Sequence, residues 1–208
     1  MSIQRCLATT DDAPRIADIH MAAFESNGML LAQFPTATVR SGLRESIARK
    51  AAADILDPNV TVLVVKDCYA KCSSNIVSFA KWSHPVSEAA AYEEVPWAWP
   101  DGASDAMLSA WGSKLDEVYE RLMGRRPCYR LTFIGTMPSQ QRRGAGQLLM
   151  AWAMESSKTE NIPLYLESTV EAASFYERLG FTAIEKVELR YVNSLGKSET
   201  YTEIVFIF

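Results

Sequence analysis

Short β-branched runs alternate with stretches of helical period along most of the chain, a pattern that predicts a mixed α/β architecture. Residues 3–8 read as a first strand. Thr10, Asp11 and Asp12 then offer capping oxygens, and Pro14 suits a first helical turn. Ile16, Ile19 and Ala23 follow at helical spacing, so a helix is expected over 13–24. A second helix is expected over 37–53, and Asp57-Pro58-Asn59 marks a turn. Thr61-Val62-Leu63-Val64-Val65 and residues 76–82 read as two strands joined by a hairpin loop at 67–74, hence antiparallel. Leu108, Trp111, Leu115, Val118 and Leu122 form one stripe of a helix over 105–123, which Gly124 can end. There follow a strand at 129–137, a loop at 138–143 and a helix from about 144 to 159, with Leu148, Leu149, Trp152 and Ala153 facing inward. A strand at 164–166, a short helix at 171–179 ended by Gly180, and strands at 181–191 and 201–208 around a polar turn at 193–197 complete the chain.

Residues 85–104 break this alternation. They set Glu88, Glu93 and Glu94 beside Trp97-Ala98-Trp99-Pro100. Such a segment is either a surface loop packing its tryptophans for stability, or a lid or wall over a substrate site. No internal repeat, low-complexity stretch or linker interrupts the order. The simplest organisation is one domain over 1–208, with 85–124 inserted before the strand at 129–137.

Composition narrows the functional classes. Of the 208 residues, 48% are hydrophobic and 22% charged, which suits a globular domain. The net charge of −4 argues against a nucleic-acid binder that relies on overall charge. No run of about 18 apolar residues occurs, so no membrane span is expected. The first residues lack the apolar stretch and cleavage site of a signal peptide, and a cytoplasmic protein is expected. Cys6, Cys68, Cys72 and Cys128 then read as reduced thiols. Cys68 and Cys72 have no second close pair and no nearby His to complete a metal site, so no metal is expected.

The stretch richest in chemistry runs from Thr136 to Leu149, between a strand and a helix. Gly144 and Gly146 lack side chains, so backbone amides there can approach a ligand closely. The first N–H groups of a helix have no internal acceptor and sit at the positive end of its dipole. Arg142 and Arg143 add formal charge, and the whole can cradle a pyrophosphate. In isolation, Gly144-Ala145-Gly146 is equally consistent with a tight turn. The dinucleotide fingerprint fails because Leu149 stands at the third glycine position, and no G-K-[ST] ending is present.

Gln141-Arg142-Arg143-Gly144-Ala145-Gly146 resembles the Q/R-x-x-G-x-G/A motif of the GNAT superfamily of N-acetyltransferases. Pro138 precedes it and Leu148-Leu149 follow it, as in that family. Some forty residues later, Phe175-Tyr176-Glu177-Arg178-Leu179-Gly180-Phe181 is similar to the family's "LYEKLGF" element. The close resemblance covers roughly 131–181; the rest agrees in the order of elements. It implies the GNAT acyl-CoA N-acyltransferase fold, a mostly antiparallel sheet splayed at a central parallel pair. Acetyl-CoA would lie in the splay as cosubstrate. Its pyrophosphate would meet the amides of Arg142, Arg143, Gly144, Ala145, Gly146 and Gln147, beside Gln141. Its pantetheine arm would pair with backbone from Ile134 to Thr136 and Met137.

The resemblance also implies that Tyr176 is the general acid toward the CoA sulfur. A phenol of reference pKa about 10 can protonate a thiolate of similar basicity. The alternative is a core tyrosine beside Phe175 and Phe181. An amide near Thr136 or Met137 would polarise the thioester carbonyl. The strand at 129–137 carries no carboxylate where some family members place a glutamate base. Glu167, on the opposing strand, is the leading substitute, directly or through water; its alternative is an ion-paired carboxylate. Glu93, Glu94 and His84 are weaker candidates. Thr169 departs from the asparagine many members carry there. His20 reads as a helix-surface or packed residue, and Trp97, Trp99 and Trp111 as core before substrate contacts. The expected acceptor is a small-molecule amine, apolar or aromatic if the tryptophans line the site, cationic if Glu93 and Glu94 attract it. A protein or peptide amine and a non-catalytic acyl-CoA-binding protein are the alternatives. The expected assembly is a monomer or homodimer.

Overall fold

Seven strands form one mixed sheet in the computed structural model of the chain, which describes residues 3–68, 76–86, 92–193 and 196–208. The strands are β1 (Ile3–Leu7), β2 (Val60–Asp67), β3 (Ile76–Ser83), β4 (Tyr129–Thr136), β5 (Leu164–Thr169), β6 (Thr182–Val192) and β7 (Ser198–Ile207). Their order across the sheet is β1-β2-β3-β4-β5-β7-β6. Neighbours run antiparallel except β4 and β5, which are parallel. Among the described residues, six α-helices accompany them: α1 (Ala13–Ala23), α2 (Gly28–Gln33), α3 (Ala37–Leu56), α4 (Asp105–Leu122), α5 (Ala145–Glu160) and α6 (Ala173–Arg178).

Helices cover both faces of the sheet centre, which is why β2 and β3 are buried along nearly their whole length. Alternate residues of β2 serve opposite faces. Leu63 and Val65 pack with Leu149, Met150 and Ala153 of α5, whereas Val62 and Val64 pack with Ile16 and Ile19 of α1 and Ala51 of α3. Leu149 and Met150 lose all solvent contact, and each such side chain contributes about 1.5–3 kcal/mol through burial.

The expected elements are present with shifted ends. Helix α3 continues three residues beyond the expected end because Asp54, Ile55 and Leu56 extend it to the residue before Asp57-Pro58, where the proline disfavours helix. Helix α2 was not legible as a periodic stretch. Six residues are too few, and its start is set by Asn27, whose side chain accepts from the Leu30 amide. Most of the expected hairpin loop at 67–74, and 194–195 of the expected turn, lie outside the described residues.

The site is created by an incomplete strand pair. β4 and β5 are in register only at Tyr129↔Leu164, Arg130↔Tyr165 and Leu131↔Leu166. Beyond Leu131 and Leu166 they part. β4 continues to Thr136 paired with β3 alone, and β5 continues to Thr169 paired with β7 alone. The splayed central parallel pair implied by the resemblance is therefore present.

Candidate active site

At the far end of the splay, β4 passes through a 3-10 turn at Pro138–Gln140 into α5. Gly144 caps α5 at φ 87°, and no side chain caps the helix in its place. A Cβ at 144 would meet no heavy atom within 4 Å. Glycine is therefore required here by backbone conformation, and the space beside it is open. Gly146 has a different reason: a Cβ there would sit 3.1 Å from the Phe175 ring, so its small size lets α5 approach α6. Arg142 also has positive φ, 64°. A non-glycine residue in that region stores about 1–3 kcal/mol and such strain concentrates at functional sites.

The first amide of this turn that bonds back into the helix is that of Leu148, to the Gly144 carbonyl at 3.1 Å. Among the described residues, the amides of 142–147 have no protein acceptor. They form a cluster of unused donors at a helix N-terminus without an acidic residue in its first turn. The two arginines have separate tasks. Arg143 donates to Asp67 at 2.7 Å and also to Gln140, so its charge is balanced and it ties the loop to β2. Arg142 is exposed and has no ion-pair partner among the described residues. One uncompensated arginine charge stands at the loop rather than the two expected.

The open edge of β4 leads from this loop into the splay. The Met137 amide donates to Val77 of β3 at 2.9 Å, and its carbonyl accepts from Gln140. The Met137 amide is therefore committed to β3. By the two-residue repeat of a strand, the backbone groups of Thr136 and Ile134 face away from β3 into the splay. Gln141 reaches the Thr136 carbonyl at 3.5 Å, consistent with that orientation.

A cavity of about 530 Å³ lies deeper in the splay. Residues 141–147 do not line it, so the loop and the cavity are two ends of one cleft. Tyr176, Glu167, Ile134 and Thr169 all line the cavity. Tyr176 is buried against Phe175, Phe181 and Phe206, and its hydroxyl has no hydrogen-bond partner among the described residues. Burial, then the nearby Glu203 carboxylate, push its pKa well above the ordinary phenol range. It is a protonated phenol that lines the cavity. Glu167 accepts from Arg130 of β4 at 2.8 Å and is nearly closed off from solvent. The Arg130 guanidinium lies over the rings of Tyr119 and Tyr165.

The segment containing Trp97 forms the opposite wall. The Trp97 and Trp99 rings stack 4.6 Å apart, with Phe34 and Phe133 against them. Two anchors fix the segment: the Ala98 carbonyl accepts from Ser46, and the Ser104 amide donates to Gln33. Glu94 bridges Lys50 at 2.7 Å and Lys81 at 2.6 Å, and Asp54 binds both lysines from below. Burial works against the charge on Glu94, but Lys81 and Lys50 override it and hold the carboxyl below its usual range. Glu94 is therefore a latch for the wall, not a free anion for a cationic amine. Glu93 is exposed and does not line the cavity, and Glu88 lies outside the described residues. His84 lies away from the cavity, bonded to Thr61 and packed on Tyr129 and Trp152. His20 is fully packed among Phe24, Phe79 and Phe133, and burial lowers its pKa to about 4. It lines the cavity as a neutral ring.

Arg130, Tyr201 and Glu203 also line the cavity, although nothing in the local sequence singles them out as site residues. The two-residue period of β7 only puts residues 201, 203 and 205 on one face, so a carboxylate at 203 stands among residues pointing at the core. Tyr201 donates to Glu203 at 2.7 Å and accepts from Asn27 at 2.9 Å.

Residues 112–183 match a family model described as the Acetyltransferase (GNAT) domain. A probable acyltransferase, SID5 of Ajellomyces capsulatus, is 31% identical over 99 residues, 45% of this chain; the match spans 63% of that protein's length. Among solved structures, the C-terminal condensation domain of Ebony in complex with beta-alanyl-dopamine superposes with a TM-score of 0.72 at 11% identity, covering 100% of this chain and 99% of that one. Arabidopsis thaliana NAA60 in complex with acetyl-CoA superposes with a TM-score of 0.59 at 12% identity, covering 100% and 98%. Identities this low establish a shared fold alone. The loop motif and the splayed strand pair both lie inside the stretch 112–183 that matches the GNAT acetyltransferase domain, and the three observations agree.

Proposed function

We propose that this chain transfers the acetyl group of acetyl-CoA directly onto the amine of a small molecule, with donor and acceptor bound together. The observation that carries the proposal is one cleft with two chemically distinct ends. Unused amides of 142–147 at a helix N-terminus suit a diphosphate, and the cavity on the other side holds Tyr176 and an aromatic wall. Between them, the open edge of β4 at Ile134 and Thr136 offers backbone partners to the pantetheine amides.

Direct transfer needs a neutral amine, a polarised thioester and a proton for the departing thiolate. The chain supplies the last through Tyr176, whose proton stays on the phenol at neutral pH. With Met137 committed to Val77, polarisation of the carbonyl falls to the Thr136 edge. Residues 85–124 act as an insertion whose described part, with Trp97, Trp99 and Trp111, walls the acceptor side. This favours an amine with an apolar or aromatic body. The structural likeness to a domain that holds beta-alanyl-dopamine supports the same reading.

The test is an acetyl-CoA-dependent thiol-release screen over alkyl amines, arylalkyl amines, polyamines and peptides. Turnover fastest with arylalkyl amines supports the proposal. Turnover only with peptides replaces the acceptor class. Acetyl-CoA binding without acceptor-dependent thiol release identifies a non-catalytic acyl-CoA-binding protein.

A further inference from the structure

We infer that Glu203, rather than Glu167, takes the proton from the acceptor amine. The inference rests on the acetyltransferase reading above and assigns a role inside the same site. Glu203 lies on β7 opposite Thr169, at the end of the part of β5 that has left β4. It therefore faces the cavity where the splay is open, and it shares that cavity with Tyr176.

The hydrogen bonding around each cavity carboxylate separates the candidates. Glu167 is held by the Arg130 guanidinium, and Glu94 by two lysines. Both are therefore already engaged in ion pairs, and neither offers an oxygen without a charged partner beside it. Asp116 of α4 lies on the exposed rim. Glu203 has only the neutral Tyr201 hydroxyl on Oε1, and Oε2 has no protein donor among the described residues. Asn27 fixes Tyr201 from the other side, so the carboxylate is oriented while one oxygen stays available.

The surroundings also raise its proton affinity. Burial comes first, and the Glu167 carboxylate adds to it; the Tyr201 hydrogen bond and the Arg130 charge pull the other way. The balance brings the Glu203 carboxyl to about 7, where a general base is most effective at neutral pH. The neutral ring of His20, the protonated Tyr176 phenol and Lys81, which is ion-paired with Glu94 and Asp54, also line the cavity.

The protons then balance. An ammonium substrate gives one proton to the Glu203 carboxylate and becomes a free amine. The amine nitrogen bonds to the thioester carbon, the carbon–sulfur bond breaks, and Tyr176 protonates the thiolate. The second nitrogen proton returns to the Tyr176 oxygen, and Glu203 releases its proton to solvent.

The experiment measures kcat/KM against pH for wild type, Glu203→Gln, Glu203→Asp, Glu167→Gln and Tyr201→Phe, with acetyl-CoA affinity of each alongside. In wild type, kcat/KM should rise through an apparent pKa near 7. Glu203→Gln should be slowed roughly 10²–10⁴-fold and lose that limb while binding acetyl-CoA as wild type does. Glu203→Asp should recover part of the rate. Tyr201→Phe removes a donor to the charged form, so its limb should move to higher pH. A limb retained in Glu203→Gln, or lost in Glu167→Gln instead, overturns the inference and leaves the acetyltransferase reading standing. A wild-type protein that turns over no amine or peptide overturns both.

Discussion

The buried His20 and the half-buried Glu203 give the protein a specific pH signature. His20 titrates at about 4 in the folded chain against about 6.5 when unfolded, so it removes stability as pH falls from 6.5 toward 4. Glu203 does the reverse. Its folded value of about 7 lies above the unfolded value of about 4.3, so its contribution is full below 4.3 and is lost as pH rises toward 7. Between about pH 4.5 and 6.5 the two slopes oppose each other. Glu203→Gln should therefore make stability rise more steeply from pH 5 to pH 7 than in wild type, as read from urea midpoints at the two pH values. It should also be at least as stable as wild type at pH 7.5, because it removes a half-buried carboxylate whose charged form folding disfavours there. An unchanged slope would mean that the carboxyl titrates near its ordinary value. The role of Tyr176 is tested separately: Tyr176→Phe should lose on the order of 10²-fold in kcat and keep its acetyl-CoA affinity, since the hydroxyl serves the transition state and the ring serves packing.

The loop and the wall show how far elements were legible before the structure. The turn from β4 into α5 was readable because its chemistry is local: two glycines, a helix start and a run of polar residues within a few positions. The distinct reasons for those glycines were not readable, since one is a backbone angle and the other a contact with Phe175. Gly144→Val should store about 1–3 kcal/mol of strain at φ 87° and weaken acetyl-CoA binding, which calorimetric titration would measure. The wall was legible only as an exception to the alternation. Whether its tryptophans packed inward or faced a cleft depended on Lys50 and Asp54 of α3 and Lys81 of β3, which lie far from it in sequence. Lone charges within a helix and a strand read as surface positions, whereas here they are buried and anchor the segment through Glu94. Removing one member leaves an uncompensated buried charge. Asp54→Asn should cost about 3–5 kcal/mol by chemical unfolding and raise KM for the acceptor by loosening the Trp97 wall. An acceptor KM unchanged in a folded Asp54→Asn protein would show that the latch does not shape the site.

On the scale of the whole molecule, one topological event creates the cleft: β4 and β5 pair for three residues and then part. The order of strands and helices was visible in the sequence because each element carries its own period. The splay was not visible that way. It is a property of two strands thirty residues apart, and only the resemblance anticipated it. The same holds for the acceptor side, where Arg130, Glu167, Tyr201 and Glu203 come from three strands and meet only after the sheet has formed. Everything proposed for function depends on the donor lying in that gap with its diphosphate on the unused amides of 142–147. The most direct measurement is a crystal structure of the protein with coenzyme A. Diphosphate oxygens at about 2.7–3.2 Å from the amides following Arg142, with the pantetheine arm along Ile134 and Thr136, is the result this account predicts. Coenzyme A bound elsewhere, or its diphosphate held by side chains while those amides stay unused, would contradict it.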